Sequence, residues 1–255
     1  MTENQNPFLT AYNTPHETTP FHLIKTEHFE PAVLVGIEEQ NREIEEIINN
    51  PETPTFTNTI VALERSGKTL DRITTVFGNL LSAETNDEMQ AIAERIMPQL
   101  TEHSNNISLN EKLFSRIKSV YESKEKESLN QEESMLLNKT YDGFIRSGAN
   151  LSDEHKEHLR KLSSELSILT LKFSQNNLKE KNSYELPLAL EQMEGLPDSA
   201  LAAYAQTAKE KGKEDYIVTL EAPSFIPFMK YCKNRELREQ LYRAYKIMHN
   251  ETYHK

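Results

Sequence analysis

Eight histidines are the side chains here best suited to metal or acid–base chemistry, so their spacing is the first test of function. The arrangement His-Glu-x-x-His sets two imidazoles one helical turn apart, beside a glutamate able to activate a metal-bound water. It does not occur in this sequence. His16 is followed by Glu17, but Pro20 stands where the second ligand would be, in a segment that does not read as helix. His155 and His158 lie three apart in DEHKEH, near enough to share a helix face with Glu154 and Glu157 beside them. An acidic, solvated first turn is favoured there by capping and the helix dipole without any metal. His249 and His254 are five apart, about 140° around a helix, and do not present two ligands on one face.

Other chemistries fare no better. Phosphate-cradling and nucleophile-elbow glycine motifs are missing, and seven glycines leave little room for such loops. The acidic pairs Glu38/Glu39, Glu45/Glu46 and Glu132/Glu133 fall in helical stretches and read as solvated faces. The single cysteine, Cys232, excludes an internal disulfide and reads as a buried structural thiol in a reducing compartment. No catalytic residue and no metal ligand is therefore assigned, and the substrate-binding residues stay unassigned. A formal charge of -11 disfavours nucleic acid and anionic membrane as partners, since both need clustered Lys and Arg. The N-terminus lacks a basic and apolar leader, and no stretch is long and apolar enough to span a bilayer, so the expected location is the cytoplasm. One segment stands out as apolar: Ala222 to Cys232, APSFIPFMKYC, fit either for burial or for lining a peptide groove.

The elements that would position these groups are mostly helices. Six of the 11 prolines fall in the first 54 residues and only Pro98 lies between 55 and 186, which leaves a long interval free for helices. The expected fold is all-α, with a small two-stranded β element near 184–220. Residues 1–27 read as an extended arm ordered only by docking, 28–182 as a helical domain, and 183–255 as a hairpin-like element followed by helices. Helices are expected over about 30–49 and about 57–83, the second with Leu63, Leu70, Ile73, Phe77 and Leu80 on one face. Capping boxes Thr85/Glu88 and Ser108/Glu111 open two more, the first ended or kinked near Pro98. A further helix from about 130 stops at Gly148. The longest, about Ser152 to Lys181, carries Leu159, Leu162, Leu166, Leu169 and Phe173 at coiled-coil spacing, expected to pack on neighbouring helices of the same chain. Strands Tyr184–Leu188 and Tyr216–Leu220 flank a helix from about Asp198 to Lys211. Helices follow at Pro223–Cys232 and from Asn234, where Leu237, Leu241, Ala244, Tyr245 and Met248 share a face.

Taken together, NPFL at 6–9, PTFTNTIVALERSG at 54–67, SAETNDEMQAIAE at 82–94 and APSFIPFMKYCKNRELREQLYRAY at 222–245 resemble the amino-terminal region of the M3 zinc metallopeptidases. The nearest likeness is to bacterial peptidyl-dipeptidase and oligopeptidase A, relatives of thimet oligopeptidase and neurolysin. The match falls off after Tyr245, in KIMHNETYHK. The resemblance implies a neurolysin-like N-terminal lobe forming one wall of a channel, as roughly the first third to two fifths of an enzyme that hydrolyses short peptides. It implies zinc in that parent enzyme and none in this chain, because the family's His-Glu-x-x-His half would lie beyond Lys255. The implied partners are that catalytic half and, in the parent, short peptides. On this reading the chain alone is inactive and exposes apolar surface where the other half packs. The rival reading is a stand-alone helical interaction or regulatory domain that uses the leucine seam.

Overall fold

A computed structural model describes residues 6–247, which are predominantly helical with one small two-stranded sheet. The chain divides into two units between Leu169 and Thr170.

In the first unit the proline-rich arm is ordered by docking. Phe8 is fully buried, its ring 5.0 Å from Phe29, which in turn meets Phe77 edge-on at 5.1 Å. Asn6 donates to the His28 carbonyl at 2.7 Å. The Arg72 guanidinium donates to the Phe8 carbonyl and lies 4.4 Å over the Tyr12 ring, so one side chain fixes two points of the arm. Helix α1 (Phe29–Ile48) buries Phe29, Ala32, Val33, Ile44 and Ile47. Gly36 permits its approach to the next long helix, since a Cβ there would lie 3.0 Å from the Leu70 Cα.

The expected single helix over 57–83 is instead three pieces: a π-helical turn (Phe56–Val61), α2 (Ala62–Arg65) and α3 (Lys68–Ala83). The break is at Gly67, which sits at φ 72 and whose N–H donates to Glu43 Oε2 at 2.7 Å. The glycine is a stop signal that helical periodicity alone had read through. Both expected capping boxes are also displaced. Asn86 caps α4 (Asp87–Ser108) by accepting from the Met89 N–H, and Asn110 caps α5 (Glu111–Glu122) by accepting from Leu113. Thr85 bonds the Gln90 side chain instead, and Ser108 is the last residue of α4. Asn caps better than Thr at the first start, and at the second Ser108 still belongs to α4, which leaves Asn110 to cap α5. Helix α4 also runs on through Pro98 rather than ending there. Its buried stripe continues on both sides, from Met89, Ile92 and Ile96 to His103, which offsets the one backbone bond a proline removes.

Helices α5 and α6 (Gln131–Arg146) close a core of Ile44, Ile47, Phe56, Ile60, Leu113, Ile117, Val120 and Leu137. Arg116 of α5 donates to the carbonyls of Asn50 at 2.8 Å and Glu52 at 3.4 Å, and to Asn58 Oδ1 at 3.3 Å. Gly148 ends α6 as expected: at φ 95 it lets its own N–H reach the Ile145 carbonyl and that of Ala149 reach Phe144, the paired bonds of a Schellman cap.

Helix α7 (Asp153–Ser183) gives its first part to this unit and its second to the next. Lys156 is its one buried residue, with Nζ 2.7 Å from Glu111 Oε1. The leucine seam, expected to pack on neighbouring helices, leaves Leu162, Leu166 and Leu169 48%, 65% and 55% exposed, whereas Leu159 is half-buried beside Gly148.

In the second unit β1 (Leu186–Leu188) pairs antiparallel with β2 (Tyr216–Val218), in the register Leu186 to Val218 and Leu188 to Tyr216. The connection carries α8 (Asp198–Glu210), and α9 (Ala222–Tyr231) and α10 (Arg235–Ile247) follow. Their core holds Leu186, Leu188, Tyr204, Val218, Phe228, Cys232 and Leu241. Leu237 and Ala244 pack against it, and Tyr245 stacks on Phe225 at 4.4 Å. Met248 lies outside the described residues. Just ahead of β1, Glu185 is gripped by Lys211 at 2.8 Å and by Lys213, and these hydrogen bonds bring its carboxyl down to about 2.

Candidate functional site

A hollow of about 870 Å³ opens in the first unit among α1, the α2–α3 break, α4 and α6. Gln40, Ser66, Gly67, His103, Ser104 and Lys139 contribute to its lining. The i, i+4, i+7 stripe of α4 carries His103 inward, leaving it 6% exposed. Its Nε2 lies 2.7 Å from Gln40 Oε1, Gln40 Nε2 donates to Ser66 Oγ at 3.4 Å, and Ser66 Oγ donates to the Leu63 carbonyl at 2.8 Å.

This chain of bonds has a direction. With the Gln40 amide nitrogen committed to Ser66, its oxygen accepts, so His103 carries its proton on Nε2. Its Nδ1 is buried without a partner, and burial lowers the imidazole's affinity for a second proton. The ring therefore bonds an amide rather than a hydroxyl or thiol, and Ser66 already donates to backbone. Neither is an activated nucleophile. The arrangement ties α4 to α1 and to the helix break. His103 stands in no ligand motif, although its place four residues before Ile107 and seven after Ile96 marks the inward face.

The histidines that the sequence singled out do not converge. His16 is exposed at φ 57, and His155 Nδ1 lies 2.9 Å from Ser152 Oγ at the start of α7, an N-terminal contact. His158 is exposed on the same helix, while His249 and His254 lie outside the described residues. Among the described residues no group of three or more His, Cys, Asp or Glu side chains could hold a metal ion. The apolar segment is buried at Phe228 and Cys232, while Pro223 and Ser224 border a cleft of about 320 Å³ and Met229 another of about 460 Å³. Beside the smaller cleft, Tyr204 donates to the Ser224 carbonyl at 2.9 Å, and burial pushes its phenol up to about 12, which keeps it protonated. Among the described residues, no helix is long and apolar enough to cross a membrane.

No family model matches this sequence. Individual proteins do. The dipeptidyl carboxypeptidase of Escherichia coli K12 is 34% identical over 241 residues, covering 94% of this chain and 35% of that protein. The oligopeptidase A of Haemophilus influenzae is 32% identical with the same coverage. The chloroplastic and mitochondrial organellar oligopeptidase A of Arabidopsis thaliana is 32% identical over 96% of this chain and 31% of its own length. The chain thus spans about a third of the length of the curated relatives it matches. It is homologous to the amino-terminal region of the dipeptidyl carboxypeptidases and oligopeptidases A, which are peptidases of the M3 family.

Proposed function

We propose that this chain is the helical, non-catalytic amino-terminal part of a zinc-dependent peptidase, and that it walls a channel admitting short peptides. One observation carries the reading: the match runs along 94% of the chain yet covers only 35% of a relative named as a peptidase. The described residues do not fit a zinc ion, so no step of peptide-bond hydrolysis is assigned to them. Zinc and the attacking water belong, on this reading, to the catalytic half. This chain contributes bulk, shape and the exclusion of large substrates. A cytoplasmic setting goes with it, supported by the one cysteine being free and buried.

The test is a chimera in which this chain replaces the matched region of the E. coli relative, compared with the purified chain alone. The chain alone with added zinc should hydrolyse no short peptide above background, and the chimera should regain hydrolysis. Zinc-dependent, chelator-sensitive cleavage by the chain alone overturns the reading. The exposed leucines of α7 favour a second reading, a stand-alone helix-binding domain. A concentration-dependent dimer, seen by light scattering and lost on Leu166→Glu, would support it.

A further inference from the structure

We propose that the cleft of about 460 Å³ on α10 is a carboxylate-binding site, and that its occupant is a short peptide ending in an acidic residue. The site goes beyond the channel-wall role and stands independently of it. The cleft is lined by Arg235, Arg238, Glu239, Tyr242 and Arg243 of α10 and by Met229 of α9. The α10 residues recur at spacings of three and four and so share one helix face, while Leu237, Leu241 and Ala244 hold another face on the core. Ala222 to Cys232 was fit by composition to line a peptide groove, and Met229 is where that segment reaches the cleft.

Charge indicates the ligand. Three guanidinium groups against one carboxylate leave an excess of two positive charges, in a chain whose formal charge is -11. An extended polyanion would meet the surrounding negative charge, whereas a small dianion would not. Two of the arginines are already held in place: Arg238 donates to the Cys232 carbonyl, and Arg243 donates to Glu239 from Nε at 2.8 Å and from Nη2 at 2.6 Å. Arg235 has no hydrogen-bond or ion-pair partner among the described residues. Guanidinium forks take carboxylates bidentately, and a fork already anchored loses little freedom on binding. Two excess charges match the two carboxylates of one C-terminal Asp or Glu. Met229 and the ring of Tyr242, 47% exposed, offer apolar contact for the residue before it.

The test titrates the purified chain with the tripeptide Ala-Phe-Glu, read by NMR at the Tyr242 ring and the arginine Nε–H groups. Saturable shifts are expected at both, and added salt should weaken them. Amidating the terminus, or ending the peptide in Gln, should each weaken binding at least about threefold, and both together at least about tenfold. Arg235→Gln, which removes no contact within the chain, should also weaken binding at least about threefold, whereas Arg65→Gln in the first unit should not. No response up to about 10 mM peptide overturns the proposal. Full-strength binding by either the amidated or the Gln-ended peptide overturns it too, because two carboxylates are then not what the cleft reads. In the chimera with zinc removed, the Tyr242 response should persist. A chimera that hydrolyses peptides once zinc is restored, yet lacks that response, places a protein segment on this face; it overturns the proposal and leaves the functional reading standing.

Discussion

Helices α5 and α7 carry the same kind of apolar periodicity and meet opposite fates. In 12 residues α5 buries Leu113, Phe114, Ile117 and Val120, with Phe114 stacked between Tyr141 and Phe144 of α6 at 5.8 and 6.3 Å. In 31 residues α7 buries only Lys156. The difference teaches that a hydrophobic stripe records that a face is to be covered, while what covers it depends on which partners share the chain.

The sharpest way to break this comparison is truncation on both helices. Ile117→Ala, at a fully buried site, should cost about 3 kcal/mol in urea unfolding, whereas Leu166→Ala should stay within about 0.5 kcal/mol. Equal losses would mean that α7 packs in solution in a way this structure does not hold. Next comes the cap joining the two regimes. Gly148→Ala puts a methyl at φ 95, 2.8 Å from Leu159 Cδ2 and 2.9 Å from Leu151 Cδ1, and should destabilise by about 1–2 kcal/mol in thermal melts. Capping separates the observed from the expected helix starts: Asn110→Ala should lose about 1 kcal/mol and Ser108→Ala much less. The reverse ranking would restore the box expected at Ser108.

The smallest effect is in pH. Burial holds His103 below its ordinary value of 6.5, and unfolding releases it, so the unfolded chain takes up the proton first as pH falls. Its contribution to stability is full above about 6.5 and declines from there toward the lowered native value. His103→Gln, which can still donate to Gln40, should flatten that stretch of the stability curve. An unchanged slope would remove His103 from the account.

Much of the helical layout was legible because its signals are local. The αL glycine at 148, the late strands and the Asn234 start each depend on a few neighbouring residues, and each stands near where it was expected. Errors arose where two local signals competed. Gly67 within an apolar run was read as helix interior, and Thr85 and Ser108 as caps beside better-placed asparagines. The family likeness was carried by packing segments, whereas the His103–Gln40–Ser66 chain joins residues far apart in sequence, which periodicity cannot link.

Arg116 has a consequence for motion. Its planar fork satisfies two carbonyls and an amide oxygen in the 50–58 loop, groups that no helix ladder reaches, and a lysine could not hold all three. That stretch, with two prolines and no regular structure before the π-helical turn, should accordingly not behave as a loop in amide exchange. Its slow-exchanging protons should open in step with those of α5, as one cooperative unit, and lose that coupling when the guanidinium is removed.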